Sequence, residues 1–322
     1  MTTSTRCWLL LLSIHFALAA AGAGPPAQSK TVRVVYLVSK DRSERADFRI
    51  AVERAIQEVQ QWYGRQLQGA TFKLHSPVVE VVRSAQTAAW FTTHTNGRNP
   101  DDWGHNNALA ETQRLLGARL EDPDHVWVVY SDGPGDKGRG GSGFAYLPED
   151  DLLGLIGKHP TQKDPPRWVG GLGHELGHAF GLPHPADTVR DADALMWAGF
   201  YGKYPDHAYL TEQDKKILSR SPFFFDRAGN PVAGNEVIVE KYAYEGGYFG
   251  RLASGPTIEW KEGKTGSATA FYFEEIRRDG ELIVLKDASR QFTVQFPIKG
   301  GTSKLSADDG KTWQTLYEVR KE

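Results

Sequence analysis

Between residues 174 and 184 the chain reads HELGHAFGLPH, and no other segment constrains the fold as strongly. On an α-helix His174 and His178 stand one turn apart and face the same way, so both imidazoles reach one ion. Glu175, one residue on, reaches the side of that ion where water would sit. A helix that ran on could not bring in a third ligand at the same reach. Gly181 can adopt a left-handed conformation that ends the helix and turns the chain. His184 returns three residues later between Pro183 and Pro185, which restrict the backbone there and keep the helix from resuming. Three neutral imidazoles holding Zn2+ leave a fourth position open, which is the layout of a catalytic site rather than a closed structural one. The same helix carries Val169, Leu172, Leu176, Ala179 and Phe180, apolar positions bound for a core, where two histidine rings are costly without a ligand to hold.

The N-terminus bears on where such a site would work. Arg6 precedes the apolar run WLLLLSIHFALAAAGAG, whose small residues include Ala17-Leu18-Ala19 and Ala19-Ala20-Ala21. This is the layout of a cleavable export signal over residues 1–23, too short for a comfortable membrane span, and no second apolar stretch would hold the mature chain in a bilayer. The only cysteine, Cys7, lies inside that segment. The mature protein then has no thiol, which excludes disulfides, cysteine nucleophiles and cysteine-ligated zinc, and its stability must come from packing. The expected location is secreted or periplasmic.

A length of 322 residues allows two domains. Strand-like TVRVVYLVSK (31–40), a helix over 46–67, a strand region over 72–82, a helix over 106–120 and the buried strand HVWVVYSD (125–132) alternate as in an α/β layer. The Gly-rich DGPGDKGRGGSGFAYL (132–147) lacks the Gly-Lys-Ser/Thr ending of a phosphate loop and reads as a mobile loop leading to a short edge strand, Gly143, Phe144, Ala145, Tyr146 and Leu147. Asp132 and Asp136 in it match no calcium-loop spacing, and calcium is left open. Thr211 is placed to cap a closing helix over 210–220. From Asp226 the chain turns to short β-branched and aromatic segments divided by Gly, Asp and Asn. The expected organisation is therefore an α/β catalytic domain with a mixed sheet and an active-site helix over residues 24–225, then an all-β, sandwich-like domain over 226–322.

HELGHAFGLPH resembles the zinc signature of the metzincin metallopeptidases at its three histidines, its glutamate and its glycine. The resemblance implies a metzincin-like domain spanning most of residues 31–220, a zinc ion on His174, His178 and His184, and Glu175 as the base that activates water. It also implies a methionine turn beneath the metal, which Met196 in ALMWAGF supplies as an apolar floor, and an edge strand that pairs with the substrate backbone, for which residues 143–147 occupy the expected place. Some members carry a tyrosine two residues after that methionine. Here the position is Ala198, so Tyr201, Tyr204, His207 and Tyr209 stand only as candidate substrate or oxyanion contacts. In the C-terminal part SADDGKTW (306–313) resembles the Asp-box of secreted carbohydrate-active proteins, a structural hairpin in which Trp313 would pack into the core.

The formal net charge is −2 and the basic residues are scattered, so no surface for nucleic acid is indicated. The expected function is a secreted, monomeric zinc endopeptidase acting on extracellular protein or glycoprotein. One alternative is a peptidase that requires an O-glycan on its substrate, as mucin-degrading metzincins do. An alternative from another class is a catalytically silent zinc-containing binding protein, against which the intact Glu175 argues. A cleft wide enough for a sugar and walled by aromatic rings would favour the glycan-dependent reading; a narrow apolar pocket would disfavour it.

Overall fold

The computed structural model describes residues 30–322 except 235, 254–256, 268–269 and 289. The expected export signal, 1–23, lies outside the described residues. No helix among the described residues is long and apolar enough to cross a membrane.

The N-terminal part runs β1 (Thr31–Val38), α1 (Ala46–Gln66), β2 (Thr71–Phe72), β3 (Leu74–Arg83), the single turn α2 (Trp90–Thr93), α3 (Trp103–Leu116), β4 (His125–Ser131), β5 (Arg139–Gly141), β6 (Phe144–Leu147), α4 (Glu149–Leu155), α5 (Pro165–Ala179), α6 (Glu212–Leu218) and β7 (Phe224–Phe225). The main sheet has the order β3-β1-β4-β6-β5. Its first four strands are parallel and β5 runs antiparallel to β6, so the sheet is mixed. Strand periodicity sorts its side chains into two cores. Val32, Val34, Tyr36 and Val38 of β1, with Val126, Val128 and Tyr130 of β4, pack beneath α1 and α5; Val35, Leu37, Trp127 and Val129 face α3. Strands buried on both faces read as continuous apolar runs, which is why β1 and β4 stood out in the sequence. Thr211 closes a reciprocal capping box with Asp214 at the start of α6.

Residues 143–147 are not the sheet edge. β6 lies between β4 and β5 with all four side chains buried, and the free edge belongs to β5. The glycines that made Arg139–Gly141 look like loop are what allow it to be a strand there. A Cβ on Gly140 would lie 2.0 Å from the backbone oxygen of Glu175 and one on Gly138 would lie 3.0 Å from the Cγ of Glu175, so the chain can cross α5 this closely only with glycine at the position that faces the helix backbone, Gly140.

The C-terminal part is β8 (Ile238–Tyr244), β9 (Gly247–Leu252), β10 (Glu259–Lys264), β11 (Ala270–Arg278), β12 (Leu282–Asp287), β13 (Phe292–Pro297), β14 (Gly301–Ser306) and β15 (Gln314–Lys321). The expected sandwich is overturned: the eight strands form a closed barrel in which each pairs antiparallel with its chain neighbours and β15 returns to β8 through Arg320↔Ala243 and Lys321↔Tyr242. Inward/outward alternation is the same in a sandwich and a barrel; what separates them is whether the first and last strands pair. Tyr242, Phe249, Trp260, Phe273 and Phe296 fill the interior. Trp313 is not core. It is half-buried over its own turn, where its indole N–H donates to Gly310 at 3.0 Å, while Asp308 accepts from Thr312 and Ser306.

The barrel meets the α/β part through charge. Glu259 on β10 accepts from Lys216 at 2.5 Å and from Arg220, whose guanidinium also lies 4.4 Å over the Tyr272 ring, and Lys264 reaches Glu121 at 3.3 Å.

Candidate metal centre and cleft

Pro165 opens α5 at a position where its missing N–H costs nothing, and the helix runs to Ala179. Gly181 has φ +92°, its N–H donates to His178 at 2.9 Å, and Leu182 donates to Gly177 at 3.0 Å, so a glycine-based cap turns the chain toward His184. That turn also orients a ring: Nδ1 of His178 donates to the carbonyl of Leu182 at 2.8 Å. Nδ1 of His174 donates to the carbonyl of Leu195, also at 2.8 Å. A carbonyl only accepts, so each Nδ1 carries the proton and each Nε2 is left with a bare lone pair.

Those lone pairs converge. Nε2 of His178 lies 3.1 Å from Nε2 of His174 and 3.1 Å from Nε2 of His184. The three histidines are the one group of three or more potential ligands found close enough together among the described residues to hold an ion. Two nitrogens on a tetrahedral zinc at about 2.0–2.1 Å stand about 3.3 Å apart. Protonation is a poor way to relieve the crowding: burial, and next the neighbouring His178, takes His174 down to about 3, while burial takes His178 down to about 4 and lowers His184. The donor set therefore fits a divalent cation that prefers nitrogen. Among the described residues no comparable group gathers around Asp132, which is buried and accepts from the amide and hydroxyl of Ser39, or around Asp136.

Met196 is fully buried, and a Cβ on Gly177 would lie 2.4 Å from its Sδ, so the thioether sits against the helical turn that carries His174 and His178. Leu195, the residue before it, orients His174. Phe200 packs on the His174 ring at 4.7 Å and Trp197 on the His184 ring at 5.4 Å.

Glu175 stands half-buried in a cleft of about 360 Å³, which is walled by Lys137, Arg139, Asp151, Arg167, Phe200 and Tyr201. Burial pushes its carboxyl up to about 7 against the opposing pull of Arg139, Arg167 and the Gly140 amide. Of the four candidate contacts downstream of the methionine turn, only Tyr201 lines this cleft, with 62% of its surface exposed. Tyr204 is core, 5.7 Å from Trp62; His207 is exposed; Tyr209 donates to Asp191 at 3.3 Å. Sequence reasoning missed Arg139, Arg167 and Asp151. The signal for Arg167 was present, because Arg167, Gly171 and Glu175 recur every four residues and share one stripe of α5.

Gly140→Ala is expected to displace β5 from α5 and to lower activity at least tenfold, since the clash is with backbone that cannot step aside. Metal content is expected to fall as well, because the same Cβ would lie 2.9 Å from the Cβ of His178, one of the three converging histidines; activity and metal analysis on the same preparation check both.

No protein-family model matches the sequence, and no curated protein is similar to it. Among solved structures the chain is similar to wild-type OgpA from Akkermansia muciniphila, with a TM-score of 0.48 and 15% identity over 94% of this chain and 95% of that one. It is similar also to catalytically inactive OgpA from the same organism in complex with an O-glycopeptide (glycodrosocin) substrate, with a TM-score of 0.46 and 15% identity over the same shares.

Proposed function

We propose that the chain is an exported zinc-dependent endopeptidase of metzincin type. The observation that carries this is the convergence of three Nε2 atoms beside Glu175, which stands in an open cleft at a free sheet edge. His174, His178 and His184 would hold the ion, which when bound supplies a Lewis acid and lowers the pKa of water. Glu175 takes the proton from the attacking water and returns it to the departing amine. The exposed edge of β5 pairs with an extended substrate backbone and sets the scissile carbonyl over the site. Met196 supplies the apolar floor.

A second reading, that the substrate carries a glycan, is favoured by the cleft. Its lining is largely polar and charged, Phe200 and the exposed Tyr201 stand at its wall, and it is not the narrow apolar slot of a peptidase that reads an aliphatic side chain.

Digestion of matched glycosylated and unglycosylated proteins by the zinc-loaded enzyme, with mapping of the new N-termini, tests both. Cuts in both substrates support a general endopeptidase, and cuts confined to sites beside a glycan support the second reading. No new N-terminus on either would reject the activity.

A further inference from the structure

Three cations face the cleft beside Glu175, and two of them already have carboxylate partners. Lys137 pairs with Asp101 at 3.1 Å and Arg139 with Asp102 at 3.0 Å. Arg167 pairs with none: its side chain makes no hydrogen bond or ion pair with any described residue. It is held instead by rings, with its guanidinium carbon 4.5 Å from the Trp168 ring, 4.9 Å from Phe200 and 4.6 Å from Tyr201. Rings fix the plane of a guanidinium without using its N–H donors.

The helix leaves room for those donors to be reached. Gly171 stands midway between Arg167 and Glu175, and a Cβ there would lie 2.7 Å from Nη1 of Arg167. The guanidinium therefore folds over bare backbone one helical turn, about 6 Å along the axis, from the position of Glu175. The carboxylates facing it are Asp136 on the neighbouring loop, Glu175, and Asp151 beneath Gly171. None of the three comes within ion-pair distance of it, and burial pushes the Asp151 carboxyl up, against the pull of Arg167.

We infer that Arg167 is the specificity-determining residue of this cleft and binds a carboxylate on the substrate residue that flanks the scissile bond. A planar fork already held in place loses little freedom on binding, and carboxylate is the group that matches it with two parallel hydrogen bonds. The carboxylate can come from an acidic side chain or from an acidic sugar on that residue. The bond that is cut rests on the peptidase reading above; the anion site does not.

Two measurements on the full-length zinc-loaded protein separate these. The first follows the arginine Nε–H signals by 1H–15N NMR during titration with N-acetyl-glutamate α-amide, N-acetylneuraminate and, as the neutral control, N-acetyl-glutamine α-amide. The Arg167 signal, assigned by its loss in Arg167→Lys, is expected to shift saturably with at least one acid and not with the amide. The second compares kcat/KM for peptide pairs differing only as Glu or Gln beside the scissile bond, and for a sialylated and desialylated glycopeptide pair. The wild type is expected to prefer the acid by about tenfold to a hundredfold in one of the pairs, which identifies the source; Arg167→Met should abolish that ratio and Arg167→Lys retain part of it. An Arg167 signal that ignores the acids, or moves equally with the amide, overturns the anion site. Cleavage without acid preference in either pair overturns the specificity role. A saturable acid-dependent shift with no peptide cleaved supports the anion site and sinks the peptidase reading instead.

Discussion

Glu175→Gln is expected to lower peptide hydrolysis by about 10²- to 10⁴-fold, the range a positioned general base contributes. It should leave the bound metal unchanged. The glutamine keeps the length and shape of the side chain and removes only its capacity to take a proton. None of the three converging nitrogens belongs to residue 175, and the hydrogen bonds that orient the rings run from His174 to Leu195 and from His178 to Leu182. Metal content and turnover must be measured on one preparation. A fully metallated Glu175→Gln protein with near wild-type activity would remove Glu175 from the mechanism, whereas joint loss of metal and activity would show that the side chain holds the site together. The same variant addresses the alternative of a silent binding protein, because a protein with no turnover has nothing to lose on this substitution.

What could be read in advance was what is local in the chain. The i, i+4 spacing of His174 and His178, the glycine turn to His184 and the apolar runs of β1 and β4 each follow from the geometry of a few neighbouring residues. The edge strand was misplaced because Arg139–Gly141 has the composition of a loop, and its strand character comes from pairing with β6 and from passing over α5. The barrel was hidden for a similar reason: closure depends on two residue pairs between β15 and β8, far apart in sequence, that no alternation pattern records. Position after Met196 says nothing about side-chain direction, and of the candidates there the Tyr204 ring points into the core beside Trp62. Arg167 shares a helical stripe with Glu175, but the rings of Phe200 and Tyr201 that hold its guanidinium come from another part of the chain, and helical spacing does not record them.

The proposed division of the chain near residue 226 leads to the second large effect. Truncation at Arg220, just after α6, is expected to prevent folding, while truncation at Gly234 is expected to leave a folded, metal-binding unit. Phe223 and Phe224 are 5% and 0% exposed, and Phe224 packs on Tyr63 and Phe72 at 6.0 Å and on Phe180 at 4.9 Å. Phe180 directly precedes the Gly181 turn that delivers His184, so this aromatic cluster supports the third ring. β7 also pairs with β2, and Val232 packs against the same core. Deleting one buried phenylalanine side chain costs about 3–5 kcal/mol. Losing two, together with a strand, is comparable with the whole stability of a domain, about 5–15 kcal/mol. Ending at Gly234 keeps every one of these contacts and removes the barrel, at the cost of leaving Lys216 and Arg220 without Glu259 and exposing the surface around Ile217. Such partly exposed ion pairs are worth about 1 kcal/mol or less each, so the expected result is a lower Tm, not unfolding. Circular dichroism melts and metal analysis of the two truncations decide this. A cooperative melt from the chain ending at Arg220 would show that the phenylalanine cluster is dispensable. Failure of the chain ending at Gly234 to fold, in conditions where aggregation through the uncovered face is suppressed, would show that the barrel is part of one folding unit with the metal site.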